Sequence, residues 1–276
     1  MRKILLAVLG TALLIGPVAA QATPEQDRQQ ILDLSKKRFP QVRFEDYVFG
    51  ALALDADSMA QYNSIMDFPP FESEVDKGKK LWNTPFKNGQ TYAGCLPSGG
   101  KNIAGNYPHF DDKAGKVVTL EMAINACLEK NSEKPLDYSD VKTMGLLTAY
   151  MRTLSDGMLM NIKVEGPAAT AAYDAGKRHF YGRRGQLNFS CATCHVQNAG
   201  NRIRSELLSP VLGQATHWPV FRAGESLVTL QTRYVQCNKN IRAVPFKPGS
   251  EEYNNLEYFH SYVSNGLPMK ASVFRK

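Results

Sequence analysis

The sequence has little that would tie the protein to a membrane or to nucleic acid. No segment after residue 22 is long and apolar enough to cross a bilayer, so we expect no membrane span in the mature chain. The formal net charge is +7, yet no basic stretch is interleaved with base-stacking aromatic residues. The pairs Lys177-Arg178 and Arg183-Arg184 are short and typical of solvated faces. A mildly basic surface favours anionic ligands or acidic partners, and nothing here singles out nucleic acid.

The N-terminus indicates export from the cytoplasm. Arg2 and Lys3 precede the apolar run Ile4–Ile15, and small residues follow at positions 18–22. This is the pattern of a secretory signal peptide over residues 1–22, with cleavage after residue 20 or 22. An uncleaved membrane anchor is the alternative, but the run is short for a span. We therefore expect a periplasmic protein.

Cysteines are few and odd in number, which matters in an oxidising compartment. Two of them stand in the segment Cys191-Ala192-Thr193-Cys194-His195, which is the attachment motif of a c-type haem. Both thiols would bind haem covalently, and His195 would supply an axial nitrogen to the iron. A redox-active dithiol is typically found in a βαβ unit, which the sequence does not predict here. A zinc site requires a second pair of ligands, and the sequence has none nearby. The other three cysteines are Cys95, Cys127 and Cys237.

An internal repeat runs through most of the chain. Matching pieces occur in the same order, and Leu120 precedes Cys127 by the same interval as Leu230 precedes Cys237. The paired pieces are 76–80 with 174–178, 107–110 with 218–221, 118–120 with 228–230, and 155–158 with 264–267. We predict two tandem cytochrome c-like domains, at 23–165 and 166–276, of which only the second binds haem.

The apolar spacing predicts a mostly α-helical fold. Apolar residues recur at helical intervals, and we interpret these stripes as core packing. Helices are expected over 31–38, 74–82, 120–130, 139–154 with a cap at Ser139 or Asp140, 168–180, 227–236 and 255–264.

The second axial ligand of the haem has two candidates. Met269 is the only methionine after the motif, and a His/Met-ligated haem is typical of a simple electron carrier. Cys237 is the rival, with Arg233 one helical turn before it, where a cation would favour the thiolate. An unreactive buried thiol beside a surface arginine explains the same residues, and the spacing leaves these alternatives open.

The repeat also predicts a disulfide. Cys95 aligns with the haem-binding segment, but Ser98 and Gly99 stand where a second cysteine and a histidine would be needed. Cys127 occupies the position that Cys237 has in the second copy. We expect Cys95 to pair with Cys127, roughly where a haem has been lost; a Cys127–Cys237 pair is the alternative and would remove Cys237 from the iron.

Taken together, these segments resemble the SoxA family of the SoxAX cytochromes. The resemblance covers nearly all of the mature chain and is carried by Tyr107–Asp111, Cys191–His195, Gln231–Asn238 and Ser264–Pro268. It implies an L-cysteine S-thiosulfotransferase that conjugates thiosulfate oxidatively to a cysteine of the SoxYZ carrier and passes electrons to cytochrome c. It implies a SoxX-like cytochrome subunit as partner in a heterodimer, and a single covalent haem c in this chain.

The resemblance also implies roles for individual residues. His195 and Cys237 would be the axial ligands, Cys237 would be the catalytic sulfur, and Arg233 would orient thiosulfate. Lys239 and Arg242 could add positive charge for the dianion. A simple periplasmic electron carrier with His195 and Met269 on the iron is the competing hypothesis, and a subunit whose haem only stabilises the fold is a third.

Overall fold

The computed structural model describes residues 22–222, 226–271 and 273–275. It confirms the mostly helical fold. The eight α-helices of the described residues are α1 Pro24–Arg38, α2 Ala56–Asp67, α3 Glu72–Asn83, α4 Leu120–Lys130, α5 Leu146–Thr153, α6 Gly166–Tyr181, α7 Leu230–Asn240 and α8 Glu251–Tyr262. The predicted signal peptide lies outside the described residues, except for Ala22. None of the helices described is long and apolar enough to cross a membrane.

Strands are short and serve as connectors. The hairpins are β1 His109–Asp111 with β2 Lys116–Val118, and β3 Arg202–Ile203 with β4 Glu206–Leu207. In a third sheet, β5 Val220–Arg222 lies between antiparallel β6 Ser226–Val228 and parallel β7 Val273–Arg275.

A glycine-mediated helix crossing occurs in each half of the chain. Helix α3 packs on α5, where a Cβ on Gly78 would overlap the carbonyl oxygen of Leu146. Helix α6 packs on α8, where a Cβ on Gly176 would overlap the Asn255 carbonyl oxygen. Only glycine permits these close backbone approaches. Gly78 and Gly176 are equivalent positions of the sequence repeat.

The segment ahead of each cysteine-bearing helix is also repeated. A cis-proline follows Tyr107 in the first half and Trp218 in the second. A β-hairpin comes next, and then an eleven-residue helix capped by a threonine side chain, Thr119 for α4 and Thr229 for α7. Each threonine accepts a hydrogen bond from the backbone N–H three residues on, which fixes where the helix begins.

The two halves share a continuous apolar core. Buried residues of the first half, such as Ile124 and Met151, belong to the same packed cluster as Tyr253 and Phe259 of the second. Helix α6 begins at Gly166, which matches the predicted start of the second domain. The division into domains at 23–165 and 166–276 remains a prediction.

Several predicted helix boundaries were wrong. Residues 227 and 228 belong to strand β6, and α7 begins only at Leu230. Helix α8 begins at Glu251, ahead of the predicted residue 255, because Ser250 caps it. The predicted helix over 139–154 is a π-helical turn, Val141–Gly145, followed by α5, with Asp140 as the cap. Helix α2 and the 3₁₀ segment Phe44–Leu54 were not predicted.

Candidate haem and thiol site

The haem motif begins on a short helical turn that its own flanking residues stabilise. The backbone N–H of Ser190 donates to Thr193 Oγ1, and the backbone N–H of Thr193 donates to Ser190 Oγ, both at 3.1 Å. The chain then continues as a π-helical turn, Thr193–Gln197. This turn places Cys191 three residues before Cys194, with His195 next in the chain. Covalent attachment of both sulfurs to one edge of a haem requires such a spacing.

Contacts at the ring nitrogen Nδ1 fix the orientation of the His195 imidazole. Its Nδ1 lies 2.9 Å from the Ser209 carbonyl oxygen and 2.6 Å from Gln214 Nε2. Both neighbours contact Nδ1, which leaves Nε2 of the ring available to bind iron. This arrangement fits an axial haem ligand. Burial lowers the pKa of His195, which also favours the neutral, ligating imidazole.

A buried polar chain continues from this histidine. Gln214 Oε1 lies 2.8 Å from Nε2 of His260, and Nδ1 of His260 lies 2.8 Å from the hydroxyl of Tyr234. Tyr234 is on α7, three residues before Cys237. The chain thus connects the motif histidine to the helix that carries the third free thiol, and sequence reasoning missed Gln214 and His260 entirely.

The third free thiol, Cys237, is within electrostatic range of the two motif cysteines. Burial raises the pKa of Cys191 to about 12, and the neighbouring Cys237 contributes to this. Burial and Cys237 likewise raise the pKa of Cys194. All three thiols are free and half-buried. The structure therefore brings Cys191, Cys194, His195 and Cys237 into one neighbourhood, which is the donor set that a thiolate-ligated c-type haem needs.

The same side chains do not form a zinc site. Across the residues described, no three His, Cys, Asp or Glu side chains are placed to hold a metal ion together. A tetrahedral zinc site would need four such donors in direct contact with one ion.

Arg233 lies beside this site. It is half-buried on α7, and its Nη1 donates to Gln236 Oε1 at 3.3 Å. Its positive charge contributes to the lowered pKa of His195. Arg233 is therefore near enough to His195 for its charge to act on the imidazole, and its predicted role toward thiosulfate stays a prediction.

Met269 lies deep in the core. Its side chain is 1% exposed, its backbone N–H donates to the Met158 carbonyl at 2.8 Å, and its carbonyl accepts from Gly157. These contacts tie Met269 to the end of the first half. The sixth-ligand role of Met269 belongs to the simple electron-carrier hypothesis, which the comparisons below do not favour.

In the first half, a disulfide and aromatic side chains fill the corresponding region. Cys95 and Cys127 form a disulfide with Cα atoms 5.8 Å apart. Trp82 stacks on Tyr92, and a Cβ on Gly100 would meet the Trp82 ring at 2.7 Å. Cys127 is thus engaged with Cys95, which leaves Cys237 free.

Known proteins similar to this chain were found at the level of family, sequence and structure. A family model described as the SoxA/TsdA cytochrome c domain matches residues 77–160, in the half without the haem motif. The L-cysteine S-thiosulfotransferase subunit SoxA of Chlorobaculum tepidum is 44% identical over 275 residues, covering 98% of this chain and 95% of the relative. The SoxA subunit of Allochromatium vinosum is 43% identical, with coverage of 98% and 96%.

A solved structure agrees with these sequence matches. The crystal structure of SoxXA from P. pantotrophus superposes with a TM-score of 0.72 at 32% identity, covering 79% of this chain and 84% of the matched chain. Membership of this cytochrome c family implies a covalently bound haem c, and in this chain the attachment cysteines Cys191 and Cys194 lie outside the matched residues. With near-full-length identity of more than 40% to curated subunits and the haem-attachment turn in place, the chain belongs to the SoxA family.

Proposed function

We propose that this chain is the haem-bearing subunit of an L-cysteine S-thiosulfotransferase, and that Cys237 is its reactive sulfur. The observation that carries the proposal is that Cys237 is a free thiol on α7, whereas the cysteine at the same position of its counterpart α4 forms a disulfide. Cys237 is also near enough to Cys191 and Cys194 to act on them electrostatically. The curated relatives, named L-cysteine S-thiosulfotransferase subunit SoxA, support the same activity.

A single haem c would be attached through Cys191 and Cys194, and His195 and Cys237 would hold its iron. When bound, the haem supplies an iron that can accept electrons removed from sulfur. The protein supplies the fixed imidazole, the thiol and a positive charge at Arg233. A thiolate is the nucleophilic form of cysteine, and an adjacent cation favours it.

The overall reaction joins the outer sulfur of thiosulfate to a cysteine of the SoxYZ carrier. One S–S bond forms, the carrier thiol loses its proton, and two electrons leave, one to each of two molecules of an electron-accepting cytochrome c. Thiosulfate is a dianion, and Arg233 would hold it beside Cys237. Lys239 and Arg242, both exposed, would add positive charge for the dianion.

The partners and location form part of the proposal. The solved structure matched by this chain is a SoxXA complex, which supports a SoxX-like cytochrome subunit as the partner. The signal-like N-terminus supports a periplasmic location. A periplasmic site also suits the covalent haem and the disulfide.

The activity test uses the purified holoprotein complex with thiosulfate and a cysteine-bearing carrier. We expect Cys237→Ser to abolish formation of the carrier S-thiosulfonate, measured by mass spectrometry of the carrier. Haem content and far-ultraviolet circular dichroism should remain at the wild-type level. Full activity in a folded Cys237→Ser protein would contradict the role of Cys237, whereas a wild-type complex that forms no carrier S-thiosulfonate would favour a simple electron carrier.

A further inference from the structure

Three buried polar side chains connect the motif histidine to helix α7, and the proposed function gives none of them a role. Gln214 lies 2.6 Å from Nδ1 of His195 and 2.8 Å from Nε2 of His260. Nδ1 of His260 lies 2.8 Å from the hydroxyl of Tyr234, which is three residues before Cys237. We call Gln214, His260 and Tyr234 the polar triad.

The half without the haem motif has apolar side chains at the three corresponding positions. Each member of the polar triad stands four residues from a matched piece of the repeat, and counting from the same pieces in the first half gives its counterpart. The pairs are Gln214 with Ile103, Tyr234 with Ile124, and His260 with Met151. All six side chains are buried, at no more than 7% exposed.

The local backbone supports this alignment. Asn102 and Gly213, the residues just before the first pair, both have positive φ, and a cis-proline follows in each half. The first half therefore shows that apolar side chains pack well at these three positions, so the fold does not require the polar triad. Buried polar groups are unfavourable unless each is hydrogen-bonded. Their presence only beside His195 points to a role at that imidazole.

The polar triad is able to supply a hydrogen-bond acceptor to an iron-bound imidazole. With iron on Nε2 of His195, the proton of the neutral ring is on Nδ1. The amide of Gln214 has an acceptor end and a donor end, and a half-turn of the amide exchanges them. With its oxygen toward His195, Gln214 accepts from this N–H and donates from its nitrogen to His260.

His260 is suited to hold the amide in that orientation. Burial, followed by the neighbouring His195, lowers the pKa of His260 to about 3, so its ring is neutral and has one donor and one acceptor nitrogen. Nε2 then accepts from Gln214, and the N–H at Nδ1 donates to the Tyr234 hydroxyl. The backbone carbonyl of Ser209 is a second acceptor at 2.9 Å from Nδ1 of His195, so loss of Gln214 weakens this hydrogen bonding without abolishing it.

We propose that Gln214 and His260 are positioning residues that lower the reduction potential of the haem through the His195 imidazole. An acceptor at Nδ1 raises the basicity of the ligating nitrogen, and a more basic ligand stabilises ferric iron relative to ferrous iron. Gln214 acts on the imidazole directly, whereas His260 acts by orienting Gln214. The inference rests on the haem attachment in the proposed function and not on its conjugating activity.

The test is a redox titration of the holoprotein complex, in which the ferric low-spin paramagnetic resonance signal of this chain's haem is followed against potential. We expect the potential to rise in Gln214→Met and in His260→Phe, which keep the size of each side chain and remove its hydrogen bonds. The double variant should have the potential of Gln214→Met alone, because His260 acts only through Gln214. His260→Gln, which is still able to bond to Gln214, should recover part of the shift.

Tyr258→Phe is the matched control. It removes a buried hydroxyl from the same helix as His260, but this hydroxyl donates to the Lys163 carbonyl, outside the polar triad. Its potential should equal that of wild type. The control separates hydrogen bonding at His195 from a general effect of changing polar groups buried in α8.

Unchanged potentials in Gln214→Met and His260→Phe would overturn the inference and leave the polar triad with a structural role only. A further shift in the double variant beyond Gln214→Met would also contradict it, since His260 would then act by another route. Gln214→Met remains decisive if His260→Phe fails to fold. Because the potential is read without turnover, it separates this inference from the conjugating activity, and a wild-type chain without covalent haem would contradict the proposed function instead.

Discussion

Arg233 is the residue that most clearly separates the two equivalent helices. Helices α4 and α7 have the same length, the same threonine cap and a cysteine at the same position. One turn before that cysteine, α4 has Ala123 and α7 has Arg233. Helix stability does not require the arginine, because α4 forms without it. Its presence only beside the free Cys237 supports a role in binding an anion.

Replacing Arg233 by glutamine should weaken thiosulfate binding. A hydrogen bond to a charged group contributes about 1.5–3 kcal/mol, which corresponds to about a tenfold or larger rise in half-saturating thiosulfate. Steady-state kinetics of the holoprotein complex measures this, and Arg233→Lys should recover part of the loss. Lys130→Gln, which removes an exposed charge at the end of α4, should have no effect. Equal effects of the two glutamine variants would show that only net charge matters.

Among single residues, the sequence predicted those that belong to a motif and missed those that do not. The haem cysteines, His195 and the pairing of Cys95 with Cys127 follow from spacing and from the repeat. Ser209, Gln214 and His260 are brought to His195 and Tyr234 only by the fold. A polar residue on a helix such as α8 gives no sign of facing inward until its neighbours are known.

The element that positions Cys237 is the crossing of α6 and α8. Helix α7 packs on α8, where Tyr234 contacts the rings of Tyr253 and His260. The repeat marked Gly78 and Gly176 as equivalent, but only the structure gives the reason, which is the close approach of each to a carbonyl oxygen. Packing at that distance tolerates no added methyl group without a shift of one helix.

Gly176→Ala should therefore destabilise the protein, although alanine is the better helix former. Overpacking of a tight contact costs about 1–3 kcal/mol or more, and the gain in helix propensity of about 1 kcal/mol offsets only part of it. Denaturant unfolding of the holoprotein measures the change. Ala171→Ser, at an exposed position of the same helix, should stay within about 0.5 kcal/mol of wild type. A Gly176→Ala protein as stable as wild type would show that α6 and α8 can separate freely.

Element types were predicted best where apolar spacing is regular, as in α4 and α6. The predicted helix boundaries were wrong where tertiary contacts decide which residues begin or end an element. Leu227 pairs with Phe221 in a hairpin, so its apolar side chain belongs to a strand although the spacing suits a helix. The π-helical turn before α5 has no signature in the apolar spacing.

In the whole molecule, the two halves meet around a buried polar cluster that no motif indicates. Glu257 of α8 and Arg152 of α5 are 2% and 3% exposed. Gln231 of α7 donates to Glu257 Oε2 at 2.9 Å and to Asn254 Oδ1 at 3.0 Å. Burial, followed by the charge of Glu121 on α4, raises the pKa of Glu257. The cluster thus joins elements of both halves through charged groups.

This cluster should make stability fall as the pH rises. The pKa of Glu257 is raised from 4.5 to about 8, so between these values the folded protein keeps a proton that the unfolded chain releases. The free energy of unfolding then decreases by up to about 1.4 kcal/mol per pH unit for one such proton. The slope is best measured between about pH 7 and 8, above the unfolded histidine pKa of about 6.5.

Glu257→Gln should flatten this slope, because the amide does not titrate. Glu252→Gln, at an exposed position on the same helix, should leave the slope as it is in wild type. A wild-type slope that is already flat between pH 7 and 8 would show that Glu257 is ionised in the folded state.

The predicted repeat is visible in the structure as paired crossings, hairpins and capped helices, while the contacts between its copies could not be predicted. The shared core and the cluster around Glu257 depend on side chains from distant segments, and apolar or polar identity alone does not tell which segments meet. The repeat nevertheless showed that one copy keeps its cysteine in a disulfide and the other leaves Cys237 free. That asymmetry is the basis of the proposed function.

The electron paramagnetic resonance spectrum of the ferric holoprotein tests the central claim most directly. With Cys237 on the iron, we expect the low-spin signals of a thiolate-ligated haem, and Cys237→Ser should lose them while keeping its covalent haem. A Met–iron charge-transfer band at the red end of the visible spectrum that persists in Cys237→Ala would contradict the account and assign the sixth position to Met269.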